Sequence, residues 1–237
     1  MTGAEGPVIP DFGKGSECVT GDHTFCWDWV RDHWGDTLQP KLIDHIELTL
    51  IAVAIGFVLA FGLALLAHRM KALDHPIGIT AALIYTIPSL ALFQLLVPVT
   101  GLTVTTVEIA LVGYTLLILF RNTLAGLLAV PEDVREAARG MGLSPTQSLL
   151  RVELPLALPA ILAGLRIATV TTISLATVAA FVLPDGLGAP IFDALRTFFK
   201  TKFIAAGLLA VALAVVADAA LALVARAATP WARARGT

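Results

Sequence analysis

The feature that most constrains this chain is an uncharged apolar run that spans residues 48–67. A helix of about 20 residues, rising 1.5 Å per residue, is about 30 Å long, which matches the hydrocarbon thickness of a bilayer. Of the 237 residues, 57% are hydrophobic and only 14% are charged, whereas a soluble domain carries about 25% charged residues. The chain is therefore predicted to be an all-α, polytopic membrane protein.

Four more apolar segments bring the predicted number of transmembrane helices to about five. The predicted spans are residues 48–67, 77–100, 104–120, 160–183 and 203–224. Pro88 and Pro98 lie inside the second of them, and membrane helices tolerate proline where neighbouring groups satisfy the freed carbonyl groups. Segment 184–202 is predicted to be a loop that contains a short helix.

The distribution of Lys and Arg predicts the orientation of these spans. More of these residues lie on the side that carries segment 121–155 than on the opposite side, and cytoplasmic loops are enriched in positive charge. We therefore expect segment 121–155 and the tail of residues 231–237 to be cytoplasmic. The tail of residues 1–43 is expected outside the cell, where residues 25–34 could form a helix at the membrane surface. The transmembrane domain between the tails covers residues 44–230.

The cytoplasmic segment contains the most specific pattern of the sequence. It reads Glu136-Ala137-Ala138, three residues, Gly142, nine residues, Val152, one residue and then Leu154-Pro155. The alanines favour a helix, the dipole of that helix favours the carboxylate near its start, and the glycine permits a left-handed turn. Ser144 is suited to cap a second short helix, with Pro145 at its first position. The pattern predicts a compact helical knob, which ends where Pro155 breaks the chain before the fourth span.

This spacing resembles the EAA loop of the permeases of ATP-binding-cassette (ABC) importers. That loop has E-A-A, three residues, G, nine residues, an aliphatic residue, any residue and L-P, and every fixed position matches. In the resembled family the loop docks in a groove of a soluble ATPase subunit and transmits ATP-driven closure to the spans. The resemblance implies that the knob, within residues 127–157, couples this chain to an ATPase. The implied coupling residues are Glu136, Ala137, Ala138, Gly142, Leu154 and Pro155.

Other stretches resemble permeases for osmoprotectants such as glycine betaine, choline and related quaternary amines. They are residues 84–93, 121–123, 151–159 and 165–170, and the resemblance covers roughly residues 45–230. One departure is Asp185-Gly186-Leu187-Gly188, where that family commonly has a doubled glycine before Leu-Gly. The resemblance implies import of such an amine, although ABC permeases for methionine, sulfonate or nitrate and an ion-coupled secondary carrier remain alternatives.

The same resemblance implies a fold and a set of partners. The fold would be that of a type I ABC importer permease, as in methionine importers. The partners would be two ABC ATPase subunits, a second permease copy or a paralogue, and an extracytoplasmic substrate-binding protein, at the bacterial cell membrane. A phosphate-binding G-x-x-x-x-G-K-[ST] motif is missing from the sequence, so we expect a transport subunit without enzymatic activity. ATP and magnesium would bind the partner ATPases, with no cofactor on this chain, and nothing points to nucleic acid.

Polar residues on the second and fourth spans have two possible roles. Small hydroxyl groups could line a translocation path, or they could simply pack helices together. The candidates are Tyr85, Thr86, Ser89, Thr171, Thr172, Ser174 and Thr177.

Three charged residues fall inside or near the spans. Asp218 is expected to face a pathway or to be a hydrogen-bonded acid, because an exposed charge in the bilayer is costly. Arg166 is expected to extend toward the inner membrane surface. Glu108, near the outer end of the third span, is expected to be solvated.

The outer tail contains both cysteines of the chain, Cys18 and Cys26. A disulfide between them is expected, because the tail should face an oxidising compartment. With His23 and His33 they form a loose group of metal-ligand types, but the spacing is not that of a zinc module, so no metal site is predicted.

Overall fold

The computed structural model describes residues 24–233, which are helical and contain no β-strand. In chain order the α-helices are α1 Trp27–Asp32, α2 Gln39–Arg69, α3 Asp74–Thr86, α4 Ser89–Thr100, α5 Val104–Leu128, α6 Glu132–Gly140, α7 Pro145–Ser148, α8 Leu154–Ala179, α9 Gly188–Thr197, α10 Lys200–Ala228 and α11 Pro230–Arg233. Two π-helical turns, Trp34–Leu38 and Leu149–Glu153, lead directly into α2 and α8.

Four of the described helices are long and apolar enough to cross a membrane, and a bent pair can supply a fifth crossing. The four contain α2, α5, α8 and α10, and the bent pair is α3 with α4. This agrees with the prediction of about five spans. The short helix predicted between the last two spans is α9, and the surface helix predicted in the outer tail corresponds to α1.

The second span is not the single helix that the sequence predicted. It breaks at Ile87 and Pro88, and α3 and α4 meet at an angle of 98°. Proline disfavours the helical conformation of the residue before it, and Ile87 is extended, with φ −66° and ψ 128°. The hydroxyl group of Tyr114 on α5 donates a hydrogen bond to the carbonyl of Ile87, so a neighbouring helix satisfies one polar group at the break.

The helix boundaries near the knob also differ from the predicted ones. Helix α5 continues past Arg121 to Leu128, because a charged residue there can leave the apolar layer without ending the helix; Arg121 forms an ion pair with Asp74 at 3.3 Å. The prediction that Pro155 breaks the chain is wrong. It lies at the start of α8, directly after the π-helical turn Leu149–Glu153. This wider turn accommodates a residue without an N–H, and helical structure runs without a break from Pro145 to Ala179.

The core is formed by α2, α5 and α8, which bury two apolar clusters between them. Close helix packing depends on small residues. A Cβ atom on Gly56 of α2 would lie 1.9 Å from the hydroxyl oxygen of Thr115 on α5, and one on Gly164 of α8 would lie 2.5 Å from the Cβ of Asn122. Helix α10 packs on α8 and α9 but leaves its most apolar stretch unburied within this chain.

The loop between α8 and α9 is held against α2 by polar contacts. The fully buried His45 bonds the carbonyl of Ile173 through Nε2 at 3.0 Å, and its Nδ1 accepts the N–H of Leu187 at 3.2 Å. Asp185, the residue that departs from the resembled family, forms an ion pair with Lys41 at 2.8 Å. Burial opposes ionisation of Asp185, but the hydrogen bonds with Lys41, Asp44 and the N–H of Gly186, together with the charge of Lys41, outweigh it, and the pKa of this carboxyl is lowered.

Candidate functional site

The knob begins with α6, which ends in a specific turn. Gly142 has a φ of +81°, a conformation that glycine adopts without strain. Its N–H donates to the carbonyl of Arg139 at 2.9 Å, and the N–H of Leu143 donates to the carbonyl of Ala138 at 3.1 Å. These two bonds form a Schellman motif, which satisfies the last carbonyl groups of the helix. The left-handed turn predicted at Gly142 is confirmed.

The second short helix of the knob, α7, is capped as the sequence predicted. The Ser144 hydroxyl accepts the N–H of Gln147 at 3.3 Å, and the Gln147 side chain accepts the N–H of Ser144 at 2.9 Å. This reciprocal pair is a capping box, and Pro145 occupies the first turn. Both ends of the turn between α6 and α7 are therefore fixed by local hydrogen bonds.

The predicted coupling residues fall into two groups in the structure. Glu136, Ala137 and Gly142 are exposed on the knob, whereas Ala138 is 1% exposed and faces the body of the protein. Leu154 and Pro155 are half-buried at the start of α8, and Leu154 packs on a third cluster, formed by Leu127, Leu149, Ala157 and Ile161. The three exposed residues form part of the knob's surface, whereas Leu154 and Pro155 attach the knob to α8. The docking role of these residues stays a prediction.

Sequence reasoning missed Met141, which is 74% exposed at the tip of the knob. It lies beside the glycine of the turn, in one of the three unspecified positions of the pattern, so the motif carried no signal for it. An exposed methionine is a flexible apolar side chain that adapts to a partner surface.

Charged side chains brace the exposed face of α6. Glu132 bonds Arg139 at 2.6 Å and Arg135 at 3.2 Å. The hydrogen bond from Arg139, and then the one from Arg135, lowers the pKa of the Glu132 carboxyl. This carboxylate is therefore ionised at neutral pH, in the first turn of α6, where the helix dipole favours a negative charge.

A second carboxylate, Glu153, lies beneath the knob and is 7% exposed. Its partners are His68 at the end of α2, Arg135 on α6 and Ser148 on α7. Glu153 occupies the unspecified position between Val152 and Leu154 in the motif, so the pattern gave no reason to select it. Its charge in a buried turn is the signal that could have identified it, because buried charges require partners.

The predicted path residues divide between the break in the second span and α8. Tyr85 and Thr86 end α3, Ser89 begins α4, and the ring of Tyr85 contacts that of Tyr114 edge to face. The remaining four, Thr171, Thr172, Ser174 and Thr177, lie on α8.

On α8 the accessibility of these residues differs. Thr172 is buried, and its hydroxyl donates to the carbonyl of Ala168 at 2.8 Å, which fits the packing interpretation for that residue. Ser174 is exposed and Thr171 is half-buried within this chain. A path lined by these residues stays a prediction.

Arg166 and Asp218 form a pair across α8 and α10. The guanidinium donates through Nε at 2.9 Å and through Nη2 at 2.8 Å to the two carboxylate oxygens. Asp218 is therefore a hydrogen-bonded acid, as one of the two expectations had it. The sequence suggested that Arg166 extends toward the membrane surface. In the structure its guanidinium is held by Asp218.

The expectation that Glu108 is solvated is wrong. Both of its carboxyl oxygens are buried and have no hydrogen-bond partner within the part of the chain that the structure describes. The residue lies one turn inside α5, a helix that packs against α2. A sequence pattern alone could not show this enclosure.

The residues considered for a disulfide or a metal site lie near the N-terminus. Cys18 and His23 fall outside the described residues. Cys26 is buried before α1, and its N–H donates to the hydroxyl of Thr201 at 3.1 Å. The Nδ1 atom of His33 lies 2.9 Å from the carbonyl oxygen of Trp29. The disulfide with Cys18 stays a prediction, and residues 24–233 contain no group of three or more His, Cys, Asp or Glu side chains that could hold a metal ion.

The structure resembles that of a known importer. A solved structure of the MetNI methionine ABC transporter, in an inward-facing conformation, superimposes with a TM-score of 0.71 at 21% identity, over 81% of this chain and 96% of that one. A second crystal form of the same transporter matches with a TM-score of 0.69. These matches confirm the predicted fold, that of a methionine-importer-like permease.

Several curated proteins are similar in sequence. The choline transport system permease protein OpuBB of Bacillus subtilis is 36% identical over 83% of this chain and 90% of that protein. The osmoprotectant import permease protein OsmW of Salmonella typhimurium is 35% identical over 76% and 86%, respectively. The ergothioneine transport permease/ergothioneine binding protein EgtU of Helicobacter pylori is a longer protein. It is 42% identical over an aligned region that makes up 57% of this chain and 24% of EgtU.

Residues 52–230 match the family described as binding-protein-dependent transport system inner membrane component. The matched range begins within α2 and ends at the start of α11, and so contains the C-terminal part of the first span, the knob and the whole of the later described spans. The chain is a member of this family of ABC importer permeases.

Proposed function

We propose that this permease imports a quaternary-amine osmoprotectant, such as glycine betaine, choline or carnitine, and that ATP hydrolysis by separate ATPase subunits drives the import. The observation that carries the ATP coupling is the knob, a capped helical turn with an exposed, preorganised surface. The cargo rests on relatives whose names specify choline or osmoprotectant transport and which align over most of the chain. The methionine transporter, at 21% identity, supports the fold alone and not the choice of cargo.

The proposed orientation places the knob in the cytoplasm and the N-terminus outside. An ATPase subunit would then contact Glu136, Ala137 and Met141, which are exposed on the knob. A rigid knob transmits force better than a flexible loop, and the Schellman motif and capping box provide that rigidity. ATP and magnesium would reside on the ATPases, with no cofactor on this chain and no role for nucleic acid.

The proposed assembly is located at the bacterial cell membrane. It contains two ATPase subunits, a second copy or a paralogue of this permease, and an extracytoplasmic substrate-binding protein. The last partner is supported by the family description and by the name of EgtU, which joins a permease and a binding protein. The unburied apolar stretch of α10 is consistent with further protein or lipid contacts.

Transport would follow from a shift between two conformations. Closure of the ATP-bound ATPases brings the two knobs together and favours the outward-open state, and hydrolysis releases them. A quaternary ammonium has no N–H to donate, so tight recognition requires aromatic faces. We assign that recognition to the binding protein and only weak contacts to the permease path.

An ATPase assay on the reconstituted complex tests the proposal. The permease would be placed in proteoliposomes with its ATPase and binding protein, and hydrolysis and uptake would be measured with glycine betaine, choline, carnitine, ergothioneine and methionine. We expect stimulation by one or more of the quaternary amines and none by methionine. Stimulation by methionine alone would refute the cargo. Uptake driven by an ion gradient without the ATPase would instead show a secondary carrier.

A further inference from the structure

The buried carboxylate of Glu153 lies where the knob meets the membrane-spanning helices. It occupies the last position of the π-helical turn Leu149–Glu153, between α7 and α8. The residue is 7% exposed, so water satisfies little of its charge. A buried carboxylate is stable only when donors surround it, and these donors are thereby held in place.

Two hydrogen-bonding groups and one guanidinium, from three different helices, approach this carboxylate. The Nε2 atom of His68 lies 2.9 Å from Oε2, and the hydroxyl of Ser148 donates to Oε1 at 3.1 Å. The Nε atom of Arg135 lies 3.4 Å from Oε2 in an ion pair, and its Nη2 donates to the carbonyl of Leu127 at 2.8 Å. Through these contacts the ends of α2 and α5 and both helices of the knob meet at the start of α8.

The apolar contacts of α6 are too few to hold its orientation. Ala138 is the one buried residue of this helix, all of which the structure describes. A single methyl group fixes a contact point but leaves the helix free to pivot about it. The polar contacts of Arg135 supply the second attachment, and they lead to Glu153 and to the end of α5.

We infer that Glu153 is the positioning residue that joins the knob to α2, so that a displacement of α6 moves this span together with α5 and α8. Without this junction a displacement of α6 would still reach α5, through the chain and the bond from Arg135 to Leu127, and α8 along the backbone, but it would not be passed to α2 through Glu153. Glu153 touches neither cargo nor nucleotide in this account. The inference rests on the proposed coupling role of the knob.

Glu153→Gln is the principal test, because it keeps the size of the side chain and removes its charge. Asp74→Asn is the matched control, since Asp74 also joins two helices through an ion pair, with Arg121, away from the knob. In proteoliposomes with the ATPase and binding protein, we expect Glu153→Gln to assemble normally and to hydrolyse ATP. Uptake per ATP should fall about 5-fold or more, a typical size for coupling between sites, whereas the control keeps the wild-type ratio.

A purely structural role for Glu153 would give a different result. It would reduce the amount of assembled complex but leave uptake per ATP unchanged in the complexes that remain, and this outcome would overturn the inference. If Glu153→Gln fails to assemble, His68→Phe removes one donor and retains a ring in its place. An unchanged ratio in that variant would likewise overturn the inference.

A distance measurement tests the junction without knowledge of the cargo. Spin labels would be attached at Met70→Cys, just after α2, and at Asp133→Cys on α6, two exposed positions that are not among the residues assigned to the ATPase contact. We expect the distance within one chain to be the same with and without ATP in the otherwise wild-type complex, and to change or broaden in Glu153→Gln. Equal distance distributions in both would refute the junction. Failure of every amine to be taken up by the wild type would refute the cargo alone.

Discussion

Replacement of Gly142 tests whether the turn of the knob is needed for coupling. Valine at this position must adopt a φ of +81°, and a Cβ atom built there has no atom within 4 Å outside its neighbours. The cost therefore comes from the backbone alone and amounts to roughly 1–2 kcal/mol for a side chain in the left-handed region. A change of this size alters the ratio of the native turn to alternative turns by about 5–30-fold.

The assay is uptake per ATP hydrolysed in the reconstituted complex, with Gly142→Asn as the matched control. Asparagine is polar and unbranched at Cβ and visits the left-handed region readily, so it should preserve most of the coupling. We expect the Gly142→Val complex to hydrolyse ATP. Its uptake per ATP should fall by up to about 5–30-fold, the factor by which the native turn is destabilised. Normal coupled uptake in Gly142→Val would refute the assignment of this turn to the coupling knob.

Three further predictions concern helix packing, the ion pair within the spans and the loop between α8 and α9. Gly56→Ala should lower the thermal stability of the detergent-solubilised protein because its methyl group overlaps the facing threonine, whereas Gly62→Ala, with nothing within 4 Å, should not; equal melting temperatures would contradict this. Asp218→Asn should reduce the membrane-inserted yield, and Arg166→Gln in the same chain should restore part of it, since the single change leaves a guanidinium unpaired; no rescue would contradict the pairing. Because the pKa of Asp185 is lowered from its ordinary value of 3.8, its stabilising effect should be complete above about pH 4 and disappear as the pH falls through the lowered value. The melting-temperature difference from Asp185→Asn should follow that course, and a difference that grows on acidification would contradict it.

The sequence predicted those features that depend on local chemistry. The apolar runs identified the spans because lipid requires about 20 apolar residues per crossing. The left-handed glycine at 142 and the serine cap at 144 were predicted because each acts through its own neighbouring backbone. The methionine-importer-like fold followed from the resemblance, and the structural matches confirm it.

The features that sequence reasoning missed depend on contacts between distant segments. Pro88 breaks the second span whereas Pro98 stays within α4, and nothing in the local sequence separates the two cases. The Glu153 junction joins residues that are 85 positions apart in the chain, and the enclosure of Glu108 requires the packing of α5. Pro155 was misjudged because a proline can equally end one helix or occupy the first turn of the next.

The central claim is that the knob faces the cytoplasm and is held there by an ATPase. Met141→Cys tests it directly, because this position is 74% exposed at the tip of the knob. A membrane-impermeant thiol reagent should label this cysteine in inside-out vesicles and not in intact spheroplasts, and bound ATPase should protect it. Labelling from the outside of the cell, or labelling that the ATPase leaves unchanged, would contradict the account.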